Sequence, residues 1–114
     1  MAIVNITVEN DADFYRQFVY QLIDGTPIDL TGNTLRMGLR HRAEEAHEDL
    51  LLTTENGGLA IIDAPNGKFT VLITQDQLVH LQLGAYEHSL IRFVASARYR
   101  IWSGSLIVNA GASR

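Results

Sequence analysis

The chain has 114 residues, 46% hydrophobic and 19% charged, with a formal net charge of −4 at pH 7. That balance excludes disorder as the main state and suits one domain spanning residues 1–114, while no apolar run approaches the roughly 18–20 residues of a membrane span. A negative chain lacks the basic field that nucleic acid requires, and the absence of cysteine excludes disulfides, thiolate zinc sites and cysteine nucleophiles.

The N-terminus has neither a basic region nor a long apolar stretch, so it reads as a strand and places folding in a cytoplasm. Ala2, Val4, Ile6 and Val8 alternate with Ile3, Asn5 and Thr7, the strand period of two. A polar break at 10–13 precedes a long extended run from Phe14 to Ile23. Asp24-Gly25-Thr26-Pro27 is a turn, and Leu35, Met37 and Leu39 mark a strand with one face buried. Residues 42–52 favour helix at first by propensity, but read better as an exposed connection leading into a strand.

Asn56-Gly57-Gly58 is a further turn. Two apolar runs, 59–63 and 68–74, flank Asn66-Gly67, the strongest short-range hairpin signal in the chain. One short helix is predicted after Thr74, with Gln77 at capping-box spacing, Leu78 and Leu81 on its buried face and Gly84 at its stop. Residues 86–108 read as strands, reversed at Ala95-Ser96-Ala97 and bulged or turned at Ser103-Gly104. Eight or nine short strands and one small helix predict an all-β sandwich or barrel.

Catalytic patterns are missing. His41, His47, His80 and His88 form no metal-ligand spacing, and the acidic run Glu44, Glu45, Glu48 and Asp49 lacks calcium-loop spacing. That run reads as a solvated face, with Arg36, Arg40 and Arg42 as nearby partners, and His88 as partly buried between Tyr86 and Leu90. The serines lack a nucleophile-elbow setting, and the single lysine, Lys68, lies outside any phosphate loop. The expectation is no enzyme, no metal and no cofactor. One basic-aromatic cluster stands out as a candidate interaction patch: Arg92, Arg98, Tyr99, Arg100 and Trp102.

The run Gly25-Thr26-Pro27-Ile28-Asp29-Leu30-Thr31-Gly32-Asn33-Thr34, followed by Met37 and Arg40, resembles a G-x-P-x-D-L-T-G-x-T signature of small phage and prophage virion proteins. The N-terminal domain of siphophage baseplate upper proteins is the best-known relative. Asn56-Gly57-Gly58, Asn66-Gly67-Lys68-Phe69, and Leu81-x-x-Gly84-x-Tyr86 follow in similar order, so the resemblance covers residues 14–109. Where such proteins often show Tyr-x-Tyr-Asp-Leu, this chain has Tyr86-Glu87-His88-Ser89-Leu90. The resemblance implies an immunoglobulin-like antiparallel β-sandwich of about eight strands that builds part of a virus particle at the tail or baseplate. Because those proteins continue into a fibre-like region and this chain stops at Arg114, it also allows a head–tail, tail-tube or fibre-adaptor role.

Physically, the signature is a sandwich corner. Pro27 fixes φ, Gly25 and Gly32 permit unusual dihedrals, Asp29 or Thr31 can bond local amides, and Ile28 and Leu30 point inward. The expected partners are other virion or tail proteins and further copies of the chain, with no nucleic acid and no membrane. The uncharged strands 2–8 and 105–109 are candidates for pairing with a neighbour's sheet, or with each other. The alternative from another class is a carbohydrate-binding sandwich, with Trp102, Tyr99 and Tyr86 as a stacking platform.

Overall fold

Alternating apolar residues give each sheet one apolar face, and here two sheets stack to bury both. The structure, a computed structural model, describes residues 2–113. The strands are β1 (Ala2–Ile3), β2 (Ile6–Glu9), β3 (Phe14–Val19), β4 (Thr34–Arg40), β5 (Leu50–Thr53), β6 (Leu59–Asp63), β7 (Lys68–Ile73), β8 (Gly84–Val94) and β9 (Ala97–Asn109), with one helix, α1 (Gln75–Val79). The front sheet runs β1–β9–β8–β4–β5, with β2 also on β9, and the back sheet runs β3–β7–β6. Because β1 and β2 lie in line along β9, they make one interrupted edge strand, so the described residues form a sandwich of eight strands. This is the strand order of an immunoglobulin-like sandwich. All pairings are antiparallel except that of β1 and β2 with β9, which is parallel.

The core lies between the sheets. Leu35, Met37 and Leu39 of β4, Phe69, Val71 and Ile73 of β7, and Leu90, Leu106 and Val108 are all buried. At its centre Trp102 meets Phe18 edge-on at 4.6 Å between ring centroids and Phe69 at 5.6 Å. Tyr86 is 1% exposed and its hydroxyl donates to the Gln82 carbonyl at 2.7 Å. A tyrosine near the start of this strand, bonding back to the preceding corner, is a hallmark of such sandwiches. Antibody domains carry a disulfide cysteine two residues further on, where this chain has His88.

The signature at 25–34 builds a corner as expected. Asp29 accepts from the Thr31 amide at 2.8 Å, Gly25 and Gly32 have φ of 90° and 74°, and Pro27 bridges Gln21. Leu30 is fully buried, and its N–H donates to Ala64 at 2.8 Å, tying the corner to the back sheet. The adjoining hairpin turns through a single 3-10 turn, Ala64–Asn66, and Gly67 at φ 67°. A β-carbon at Gly67 would collide with the backbone carbonyls of Tyr20 and Ile28, so glycine is required there twice over.

Several boundaries differ from expectation. The extended run from Phe14 ends as a strand at Val19, and Ile23 is fully exposed at the tip of the following turn. The capping box of Thr74 and Gln77 forms with both bonds, but α1 stops at Val79, capped by His80, and Gly84 opens β8 instead. The bulge in β9 falls at Ile101, between the Leu90–Trp102 and Ile91–Arg100 pairs, and Gly104 lies within continuous strand. Gly104 is small for another reason: a β-carbon there would run into the Val4 carbonyl, where β1 and β2 are interrupted. Residues 105–109 pair on both sides, with β2 and β8, so the last strand is not an edge.

Removing the corner bond by Tyr86→Phe strands the Gln82 carbonyl and should cost about 1–2 kcal/mol, read as a lower urea midpoint. Burial first, then the Asp49 carboxylate, raises the Tyr86 phenol above its ordinary 10.0, against the hydrogen bond to Gln82. The neutral phenol is therefore favoured by folding. Stability should be full below pH 10 and fall as the pH rises beyond it, a decline that Tyr86→Phe reduces. Gly104→Ala should cost about 1–3 kcal/mol by forcing the N-terminal strand off β9, with loss of amide-exchange protection at residues 2–6.

Candidate functional site

Strand alternation sends Arg36, Gly38 and Arg40 to the outer face of the front sheet, opposite Leu35, Met37 and Leu39. In register beside them lie Ile91, Ser89 and Glu87 of β8, then Arg100, Ser103 and Ser105 of β9. Together they floor an open groove of about 650 Å³, flanked by Arg36, Arg40 and Glu48 on one side and by Ile3, Asn5, Arg98 and Arg100 on the other. It holds four arginines against two glutamates in a chain of net charge −4.

Glu48 reaches back over the face of β4. Its carboxylate accepts from Arg36 at 3.0 and 3.1 Å and lies 3.6 Å from Arg40. Gly38 makes this position available, because a β-carbon there would occupy the place of the Glu48 carboxylate. Arg40 also donates to the carbonyls of Glu45 at 3.0 Å and Ala46 at 2.8 Å, and Glu87 accepts from the Ala43 amide. Asp49 accepts from the His41 amide at 3.1 Å and lies 3.1 Å from His41 Nδ1 and 3.4 Å from His47 Nε2. The connection 41–49 has no regular structure, yet it is anchored at each of these points.

The acidic run is thus divided rather than uniformly solvated. Glu48 and Asp49 are half-buried anchors, whereas Glu44 and Glu45 are exposed. Arg36 and Arg40 find the acidic partner expected for them. Among the described residues no three histidine, aspartate or glutamate side chains gather as a metal site.

The basic-aromatic patch is divided too. Trp102 is 4% exposed and belongs to the core, so it cannot serve as a surface contact. The bulge at Ile101 reverses the alternation between Trp102 and Arg100, sending Arg98 and Arg100 to the outer face. Arg98 stacks over Phe93 at 5.0 Å. Arg92 and Tyr99 face the opposite way, where Arg92 sits over Tyr20 at 5.5 Å and Tyr99 at 5.1 Å. Both rings thus share one guanidinium. The sugar platform likewise fails to assemble: Tyr86 and Trp102 are buried, and Tyr99 alone is open at 50% exposure.

His88 lies inside the sheet below the groove, 4% exposed, with Nε2 3.2 Å from the Ser105 carbonyl. Burial pushes its pKa below the ordinary 6.5, while the carbonyls of Ser105 and Val4 oppose that fall. No ligand chemistry follows, since imidazole here packs against Trp102 at 6.4 Å.

In comparisons with known proteins, no family model and no curated protein matches the chain.

Two outcomes test this geometry. Gly38→Ala should expel Glu48 from between its arginines and raise amide exchange across residues 41–49, with a change of only about 1 kcal/mol or less in global stability, because the displaced group is the end of a flexible side chain. For His88 the neutral form is favoured by folding, so stability should be full above pH 6.5 and decline as the pH falls below it. His88→Leu should flatten that decline in urea titrations between about pH 7 and pH 5.

Proposed function

We propose that the chain is a non-enzymatic structural or assembly module of a phage or prophage particle, at the tail or baseplate or as a fibre adaptor, made in the host cytoplasm. The observation that carries this reading is the use to which the signature at 25–34 is put. Its aspartate, threonine and glycines are consumed in forming a sandwich corner, and Leu30 anchors that corner in the core. A motif spent on architecture supports a scaffold better than a catalyst. The groove adds to this, because its carboxylates are engaged in ion pairs and loop anchoring rather than held as an acid–base pair. Among the described residues no helix is long and apolar enough to cross a membrane.

The decisive experiment is compositional. Particles purified from an induced host should contain the chain in several copies each, by mass spectrometry of intact virions and by immunogold labelling at the tail. Recovery only in the particle-free lysate would overturn the proposal.

A further inference from the structure

The outer face of the front sheet carries both halves of an ionic contact at opposite corners. One corner is basic: Arg98 is exposed, stacked on Phe93 and in no ion pair among the described residues, with Arg100 beside it. The other corner is the connection 41–49, at the far end of β4, which presents Glu44 and Glu45 against the single guanidinium of Arg42. Neither glutamate side chain makes an ion pair among the described residues. The connection is already held by Arg40, Glu87 and Asp49, so little ordering remains to oppose a contact.

We infer that this face is the contact between two copies of the chain, related by a two-fold axis that sets Glu44 and Glu45 of each copy against Arg98 of the other. Charge complementarity selects a second copy, because one surface supplies both the donor set and the acceptor set, as a two-fold contact requires. A two-fold axis lying in the face, perpendicular to the line that joins the two corners, carries each acidic corner onto the partner's basic corner. The floor permits close approach at Ser89 and Ser103, whose side chains are short. Ile91, half-buried, and Ile3, 75% exposed, supply apolar area within the same face. The inference rests on reading the chain as an assembly module, and names the surface through which it assembles with itself.

Sedimentation equilibrium of the purified full chain tests it. The expected species is a dimer, whose dissociation constant rises roughly tenfold or more between about 50 mM and 500 mM salt as exposed charges are screened. Arg98→Glu should weaken it by a similar factor or more, and adding Glu44→Arg and Glu45→Arg to that variant should restore it. Circular dichroism controls for folding. If Arg98→Glu fails to fold, Glu44→Arg with Glu45→Arg alone should weaken the dimer in its place. A monomer at every concentration, a dimer indifferent to salt and to charge reversal, open-ended oligomers, or failure of the reciprocal change to restore pairing would each overturn the inference. Those outcomes are separate from the particle analysis. The chain can be found in virions yet monomeric alone, which defeats the contact and leaves the assembly role. It can also dimerise through this face and be missing from virions, which defeats the role and leaves the contact.

Discussion

Trp102 joins the two sheets, and much of the molecule is arranged around its ring. The indole lies against Phe18 of β3 and Phe69 of β7 from one sheet and beside His88 of β8 in its own. In a chain without cysteine this aromatic group occupies the region that a disulfide spans in antibody domains. An indole can be accommodated so close to Arg100 only because β9 takes an extra residue at Ile101. The bulge increases local twist and reverses facing, so that core and groove are supplied by residues two apart in sequence. Gly104, two residues further, then lets the N-terminal strand approach closely and cover that part of the core.

Much of the fold was legible in the sequence because its signals are local. The period of two in β2 and β4, the glycine-bearing turns and the capping box at Thr74 each depend on residues within a few positions of one another. The corner at 25–34 was readable for the same reason, since its hydrogen bonds link residues two apart. What was not legible depends on register between distant strands. Nothing near Ile101 marks it as a bulge rather than Gly104, because the distinction is set by the partners Leu90 and Ile91 on β8.

The candidate site shows the same division. Arg36 and Arg40 could be placed on an outer face from the alternation of β4 alone, and their pairing with nearby acid was foreseeable from proximity. The identity of the acid was not: Glu48 is selected by the missing side chain at Gly38, a contact across twelve residues or fewer that no periodicity encodes. The cluster 92–102 failed as a unit because sequence proximity in a hairpin says nothing about facing once a bulge intervenes. Arg92 and Tyr99 meet face to face, while Arg98, adjacent to Tyr99 in the chain, stands on the other side of the sheet.

The parallel pairing of β2 with β9 has a mechanical consequence. Ile6 to Glu9 run beside Leu106 to Asn109 in the same direction, and the Asn10 amide and side chain continue the clasp to Asn109 and Gly111. Tension entering through residue 2 and leaving through residue 113 would pull these two strands past one another along their length. Their hydrogen bonds then carry the load together, in shear, instead of opening one after another as in a peeled hairpin. Resistance to such a load is governed by the barrier to unfolding rather than by equilibrium stability. A small domain with this arrangement can transmit force along these two strands while remaining only marginally stable in the thermodynamic sense.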